Sequence, residues 1–162
     1  MQQAAGFLAW LEATPLSHAM RYDLWLYPIV EIFHIIGFAT LFGTVAMFDL
    51  RVLGIASNLP LDALGRHLLR WSAASFLLIV PAGLMMFSAH PHEFIDNPVF
   101  VAKMLLIVTA GLNALLFHAG VYRSSADWNR GVPAPGLAKA QAALSLTLWI
   151  AVISCGRLLA YT

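Results

Sequence analysis

Four long stretches of the sequence are almost entirely apolar, and short polar segments separate them. The stretches cover residues 24–50, 68–89, 99–122 and 140–160. A helix needs about 20 mainly apolar residues to cross a bilayer, so each stretch is long enough. Asn97-Pro98 is typical of the start of a helix, and Pro81 inside the second stretch predicts a bend. The pattern therefore predicts an all-α fold, a polytopic membrane protein with a bundle of four transmembrane helices in a single membrane domain over residues 1–162.

The segment before the first stretch has an apolar face that is too short to span. Phe7, Leu8, Trp10 and Leu11 provide this face, which predicts a short interfacial helix over about 4–20, lying on the membrane surface. No basic region precedes it, as a cleaved signal peptide requires. We therefore expect the first membrane helix to act as the uncleaved targeting signal.

The composition narrows the classes of function. Hydrophobic residues make up 60% of the chain and charged residues 10%, against about 25% charge in soluble domains. The net charge is only +1 and the Lys and Arg residues form no basic stripe, so nucleic acid is not expected as a partner. The single Cys155 excludes an internal disulfide and a cysteine-cluster zinc site. No nucleophile or paired-carboxylate motif is present, so no catalytic residue is predicted, and an electron carrier or a subunit is favoured over an enzyme.

The distribution of basic residues predicts the orientation in the membrane. The first and third connections hold six of the nine Lys and Arg residues, the N-terminal side holds one, and the second connection holds none. Positively charged loops stay on the cytoplasmic side. We expect a bacterial inner-membrane protein with both termini in the periplasm. The six residues are Arg51, Arg66, Arg70, Arg123, Arg130 and Lys139.

Three charged residues lie within the spans at one expected depth. Glu31, Lys103 and Arg157 each fall roughly 10 Å from their span's midpoint toward the periplasm. An isolated charge is costly to bury, and one acid with two bases can neutralise one another. The sequence therefore predicts a structural ion network of these three residues.

Histidine at membrane depth points to a haem. His34 lies one turn deeper than Glu31, and Gly37 follows one turn later. Imidazole is a common axial ligand of haem iron, and the glycine leaves room for a ring edge. Lys103 and Arg157 offer positive charge for the propionates. The alternative for His34 is a hydrogen bond to a neighbouring helix.

His118 is the second candidate ligand, and it lies about 15 Å deeper than His34. One haem bound by both is therefore not expected, whereas two haems in opposite leaflets fit these depths. The cytoplasmic haem uses His118 with His67, and Arg66 and Arg70 neutralise its propionates. The periplasmic haem uses His34 with Met85, Met86 or a group from another protomer.

A second grouping of residues favours copper. Soft sulfur ligands and imidazoles suit this metal, and several of both lie in the periplasmic half. These are Met85, Met86, His90, His92, Met104 and Cys155. Methionines that only fill gaps between helices are the simpler interpretation of part of this set.

Four segments resemble a small bacterial family of four-helix membrane proteins of unknown function. They are residues 25–37, 48–54, 97–118 and 148–162. The resemblance covers most of the chain and implies the architecture but no activity. A general similarity to four-helix b-type cytochromes adds to the interpretation of His34 and His118.

We expect a haem b protein, homo-oligomeric or part of a larger membrane complex. It would carry electrons from a quinone or membrane dehydrogenase to a periplasmic acceptor. The alternatives are a periplasmic-facing copper-handling protein and a non-catalytic accessory subunit.

Overall fold

The computed structural model describes residues 2–161, and these residues form helices and connecting turns without a strand. Four long helices are joined by short elements. In chain order the helices are α1 (Gln2–Glu12), α2 (Pro15–Tyr22), α3 (Leu26–Leu53), α4 (Leu61–Ala89), α5 (Pro91–Asp96), α6 (Pro98–Ala119) and α7 (Gly136–Leu158). A 3-10 helix, Val121–Trp128, follows α6. The predicted all-α class and the four spans are confirmed.

The long helices carry their apolar side chains on the outside as well as between them. All four are long and apolar enough to cross a membrane, and large side chains such as Leu77 and Leu105 are 77% and 64% exposed. An exposed apolar surface of this extent would be unfavourable in water, so a lipid bilayer is the surrounding medium.

Helix boundaries differ from the predicted spans mainly at α4. This helix begins at Leu61 instead of residue 68, because the polar turn around Asp62 and Arg66 is helical although it is not apolar. The third span ends at Ala119, and Gly120 starts the 3-10 turn. At Asn97, the side chain accepts a hydrogen bond from the amide of Val99, so the predicted cap before Pro98 is confirmed.

The four spans form two hairpins joined along one seam. Helix α3 packs along α4, α6 packs along α7, and α3 also packs on α7. Along their described lengths, α4 and α6 do not approach each other through their backbones. We call the space between these two backbones the α4–α6 gap. Side chains bridge it where the rings of Phe87 and Phe100 stack with centroids 5.8 Å apart.

The α3–α4 contact is close at Gly37. A Cβ atom there would lie 2.9 Å from Ile79 Cγ1 and 3.2 Å from the carbonyl oxygen of Ser75. The space beside Gly37 is thus filled by α4, and the expected room for a haem edge is absent at this residue. Small residues at helix interfaces serve this purpose in membranes, because they let two backbones approach.

The two ends of the bundle are fixed by different contacts. At one end, α2 packs on α4, and the buried Ser17 hydroxyl donates to the carbonyl of Ser88 at 2.7 Å. Two short helices, α1 and α2, therefore occupy the segment predicted as one interfacial helix. At the other end, the buried Arg51 donates to the carbonyls of Leu59 at 2.8 Å and Asn129 at 2.9 Å, which ties together the first and third connections.

Candidate ligand sites within the bundle

A cavity of about 380 Å³ lies among the four spans, in the half that contains the Arg51 contacts. Its walls are mostly apolar, and four helices contribute to them. The polar residues on its surface are Thr44, Asp49, Ser72, Asn113, His118, Gln141 and Ser145. A cavity of this size, with apolar walls and a few polar groups, is typical of a small-molecule site.

His118 is among the residues that line this cavity, and one of its ring nitrogens is unpaired. Its Nδ1 lies 2.8 Å from the carbonyl oxygen of Ala114. A carbonyl only accepts, so Nδ1 carries the proton and the neutral ring keeps a lone pair on Nε2. That Nε2 is buried and has no hydrogen-bond partner in residues 2–161. Phe48 lies nearly parallel to the ring, with the two centroids 6.4 Å apart.

Two more buried oxygens at the cavity have no partner within the described chain. They are Oδ2 of Asp49 on α3 and Oε1 of Gln141 on α7. The hydroxyl of Ser145 faces the Asp49 carboxyl, and Asn113 is already engaged, because its Nδ2 donates to the Gln141 carbonyl at 3.0 Å. Buried polar atoms are nearly always paired, and these three exceptions belong to residues that line one cavity.

His34 lies at the opposite half of the bundle. The cavity-lining residues of α3, from Thr44 to Asp49, lie 10 to 15 residues after His34. At a rise of ~1.5 Å per residue this is about 15 to 22 Å along the helix. The Nδ1 of His34 lies 3.1 Å from the carbonyl oxygen of Ile79, so this ring too carries its proton on Nδ1. A Cβ atom at Gly83 would lie 3.2 Å from His34 Cε1. The hydrogen bond between helices that the sequence left open as an alternative is therefore present, and it leaves Nε2 free to ligate.

Lys103 of α6 is half-buried in the same half of the bundle as His34. Its Nζ lies 4.0 Å from the position of a Cβ atom at Gly156 of α7. No salt bridge pairs this ammonium with a carboxylate among residues 2–161. A cation inside a membrane span without an anion is costly, so Lys103 is a candidate contact for an anionic group.

The expected ion network is not assembled. The salt bridges of the described chain are Arg66–Asp62 at 3.3 Å and His90–Glu93 at 3.4 Å. Glu31 is exposed on α3. Arg157 lies in the last turn of α7, where its guanidinium stacks over the Tyr161 ring at 4.7 Å and donates to the Tyr161 hydroxyl. Arg157 points toward the helix end, because its guanidinium can stack on an aromatic ring there and reach toward the membrane surface.

The remaining residues of the haem hypothesis lie apart from both histidines. His67 and Arg70 are exposed on α4 and do not line the cavity, and Arg66 pairs with Asp62. The proposed sixth ligands Met85 and Met86 pack against the buried cluster of Met20, Val30, Ala82 and Ala89.

The residues of the copper hypothesis are spread over several elements. His90 pairs with Glu93, His92 lies in α5, Met104 is exposed on α6, and Cys155 is half-buried on α7. Residues 2–161 contain no group of three or more His, Cys, Asp or Glu side chains placed to bind a metal ion. Copper binding stays a prediction that no contact in the bundle favours.

Sequence reasoning identified both histidines but missed three residues of these sites. Asp49 lies two residues before Arg51, so it was indistinguishable from an interfacial charge at a span end. Gln141 lies at the start of the fourth stretch for the same reason. Gly83 could have been noticed, because a glycine two residues after Pro81 in an apolar helix often marks a close approach.

Comparison with known proteins shows the family. Residues 7–162 match the Family of unknown function (DUF6644), and the chain belongs to it. No curated protein and no solved structure matches the chain. The resemblance to a small family of unknown function is confirmed, while none of these comparisons points to the b-type cytochromes.

Proposed function

We propose that this member of the family binds haem b within the membrane and carries electrons. The observation that carries the proposal is the hydrogen bond that His34 makes with the Ile79 carbonyl, with Lys103 in the same half of the bundle. A metal-ligating histidine normally donates its other ring N–H to a carbonyl or carboxylate, which fixes the tautomer and orients the ring. His34 is held in this way by the Ile79 carbonyl.

The surrounding residues offer groups that suit the iron and a propionate of a haem. The free Nε2 of His34 suits the iron, and the unpaired ammonium of Lys103 suits a propionate. Gly83 lets the ring lie against α4, and the backbones of α4 and α6 stay apart at the α4–α6 gap. When bound, haem b supplies a one-electron couple. The residues of the chain would orient the imidazole that binds the iron, neutralise a propionate carboxylate and exclude water.

Several finer features belong to the same proposal. The carrier lies in the bacterial inner membrane with both termini in the periplasm, and it delivers electrons to a periplasmic acceptor from a quinone or a membrane dehydrogenase. It acts as a homo-oligomer or within a larger complex, in which another protomer could provide the sixth iron ligand. Support comes from the basic first and third connections.

The test is the haem-to-protein ratio of the purified protein and of three alanine variants. We expect a Soret band in the parent and its loss in His34→Ala, because the only imidazole at that level is removed. His18→Ala is the matched control, since His18 is exposed on α2 and contacts only the Tyr22 ring among the aromatic groups.

The third variant, His118→Ala, separates one haem from two. Retention of the parent ratio in His118→Ala supports a single haem on His34, whereas loss of about half in each variant supports the two-haem hypothesis. Full retention in His34→Ala contradicts the proposal. A parent protein without a Soret band after haem reconstitution also contradicts it and favours an accessory subunit.

A further inference from the structure

We infer that the cavity among the four spans holds one acyl chain of an anionic phospholipid, whose phosphate binds Arg66 and Arg70 at the end of α4. The cavity lies in the opposite half of the bundle from His34, so this site is separate from that of the proposed haem. Phospholipid is present in both leaflets, so the lipid is available in either orientation of the chain.

The accessible surface of the cavity suits an apolar ligand. Aromatic and aliphatic side chains make up most of its walls. The Thr44 hydroxyl donates to the carbonyl of Thr40 at 2.8 Å, and the Asn113 amide donates to the carbonyl of Gln141 at 3.0 Å. The unpaired polar atoms near the cavity have almost no accessible surface, so a ligand cannot reach them. A polar ligand would lose hydration without gaining partners, whereas an alkyl chain gains from burial.

The cavity opens toward lipid at the α4–α6 gap. Ala73 of α4 and Ala114 of α6 both line the cavity, and both are exposed on the bundle surface. An alanine side chain is a single methyl group, which is too small to face two separate spaces, so cavity and surface are continuous there. Phe87 and Phe100, whose rings bridge the gap, lie at the other end of the two helices. An acyl chain can therefore enter sideways from the bilayer.

The side of α4 that leads to this opening carries two arginines. Arg66 and Arg70 are exposed and precede Ala73 by seven and three residues, which places all three on one side of the helix. Arg70 forms no salt bridge among residues 2–161, and Arg66 uses one of its five N–H groups for Asp62. Trp71 is exposed next to Arg70, as expected at headgroup depth. Arginine binds phosphate strongly, and basic groups at this depth bind anionic lipids.

The distance from the arginines to the cavity fits one leaflet. The α4 residues that line the cavity run from Leu68 to Phe76. Phe76 is ten residues beyond Arg66, which is about 15 Å along the helix. One leaflet provides half of a hydrocarbon core of about 30 Å. A phosphate at Arg66 and a chain that ends beside Phe76 therefore match the length of one lipid.

The experiment compares dioctanoyl phosphatidylglycerol with dioctanoyl phosphatidylcholine, which have the same chains and differ in headgroup charge. Native mass spectrometry of the delipidated full chain in detergent measures their dissociation constants. We expect phosphatidylglycerol to bind about twentyfold more tightly, since each arginine near a membrane surface contributes roughly fivefold in affinity for an anionic lipid. Octanoate, an anion with the same chain and no phosphate, should bind more weakly than phosphatidylglycerol.

Two variants test the headgroup contacts. Arg66→Gln and Arg70→Gln should each weaken phosphatidylglycerol binding about fivefold and leave phosphatidylcholine binding nearly unchanged. Arg130→Gln is the matched control, because it removes one exposed charge at the same end of the bundle but from the third connection. It should bind both lipids like the parent.

Two further variants test entry of the chain. Ala73→Leu and Ala114→Leu narrow the opening from separate helices. Each should weaken binding of both lipids about tenfold, because space for two methylene groups is lost and each contributes roughly fourfold. Ala74→Leu is the control, since Ala74 is exposed on α4 but does not line the cavity.

Three outcomes would overturn the inference. Equal affinity of the parent for the two phospholipids would mean that the headgroup is not recognised. Octanoate binding as tight as that of phosphatidylglycerol would make the occupant a fatty acid. Phosphatidylglycerol binding by Ala73→Leu and Ala114→Leu that equals that of Ala74→Leu would mean that no chain enters the cavity. The His34→Ala haem ratio is independent of these measurements, so failure of the haem proposal and failure of this inference are distinguishable.

Discussion

A histidine whose ring N–H donates a hydrogen bond to a backbone carbonyl has a fixed tautomer, and its other ring nitrogen keeps a lone pair. Both His34 and His118 are in this state, with acceptors at Ile79 on another helix and at Ala114 on the same helix. The difference has a consequence for positioning. His34 is oriented by a hydrogen bond to α4, whereas the hydrogen bond of His118 lies within α6 and Phe48 of α3 stacks on its ring.

The separation of Glu31 and Arg157 leads to a test at the residue scale. We expect the effects of Glu31→Gln and Arg157→Gln on unfolding free energy to add within about 0.5 kcal/mol, because residues without a shared contact do not couple. Unfolding in mixed micelles of the two single variants and the double variant measures this. A coupling above about 1 kcal/mol would show that the two charges pair in the membrane.

The sequence predicted which polar residues lie within the spans, but not which of them meet. Depth follows from counting residues at a rise of about 1.5 Å each. The direction in which a side chain points depends on helix rotation, which the nearly uniform apolar faces of α3 and α6 do not specify. Glu31 therefore shares a level with Lys103 and Arg157 without contacting either through a salt bridge.

At the scale of elements, the α3–α4 pair is held by a close approach at one glycine. Gly37→Ala would place a methyl group against Ile79 and the Ser75 carbonyl. We expect this change to destabilise the protein by about 1–3 kcal/mol, as overpacking of a tight contact does. Gly43→Ala on the same helix meets nothing within 4 Å, so it should be neutral or stabilise by up to about 1 kcal/mol.

Thermal unfolding in one detergent compares the two glycine variants directly. A Gly37→Ala protein as stable as Gly43→Ala would mean that α3 and α4 are further apart in the membrane than their described contact. The existence of α3 and α4 was predictable from apolar length alone. The point at which the two helices come closest was not predictable, because Gly37 and Gly43 are both single glycines in the same apolar stretch.

At the scale of the whole molecule, four spans place both ends of the chain on one side of the membrane. We expect that side to be the periplasm, because six basic residues flank the two opposite connections. A reporter that is active only in the cytoplasm, fused after Thr162, should therefore be silent.

The same reporter inserted in the third connection, at Gly131, is the positive control and should be active. Gly131 is exposed and has a positive φ of 69° in a turn, so an insertion there does not interrupt a span. Strong activity after Thr162 would invert the orientation and place the His34 site nearer the cytoplasm.

The arrangement of two hairpins joined by one seam also constrains how the protein assembles. The α3–α4 and α6–α7 contacts are each formed between neighbouring spans, while α3–α7 brings together helices far apart in sequence. Each hairpin can therefore form as soon as its second span has entered the bilayer. The α3–α7 seam, with Leu41, Trp149 and Val152 in its apolar cluster, must wait until synthesis of the last span is complete.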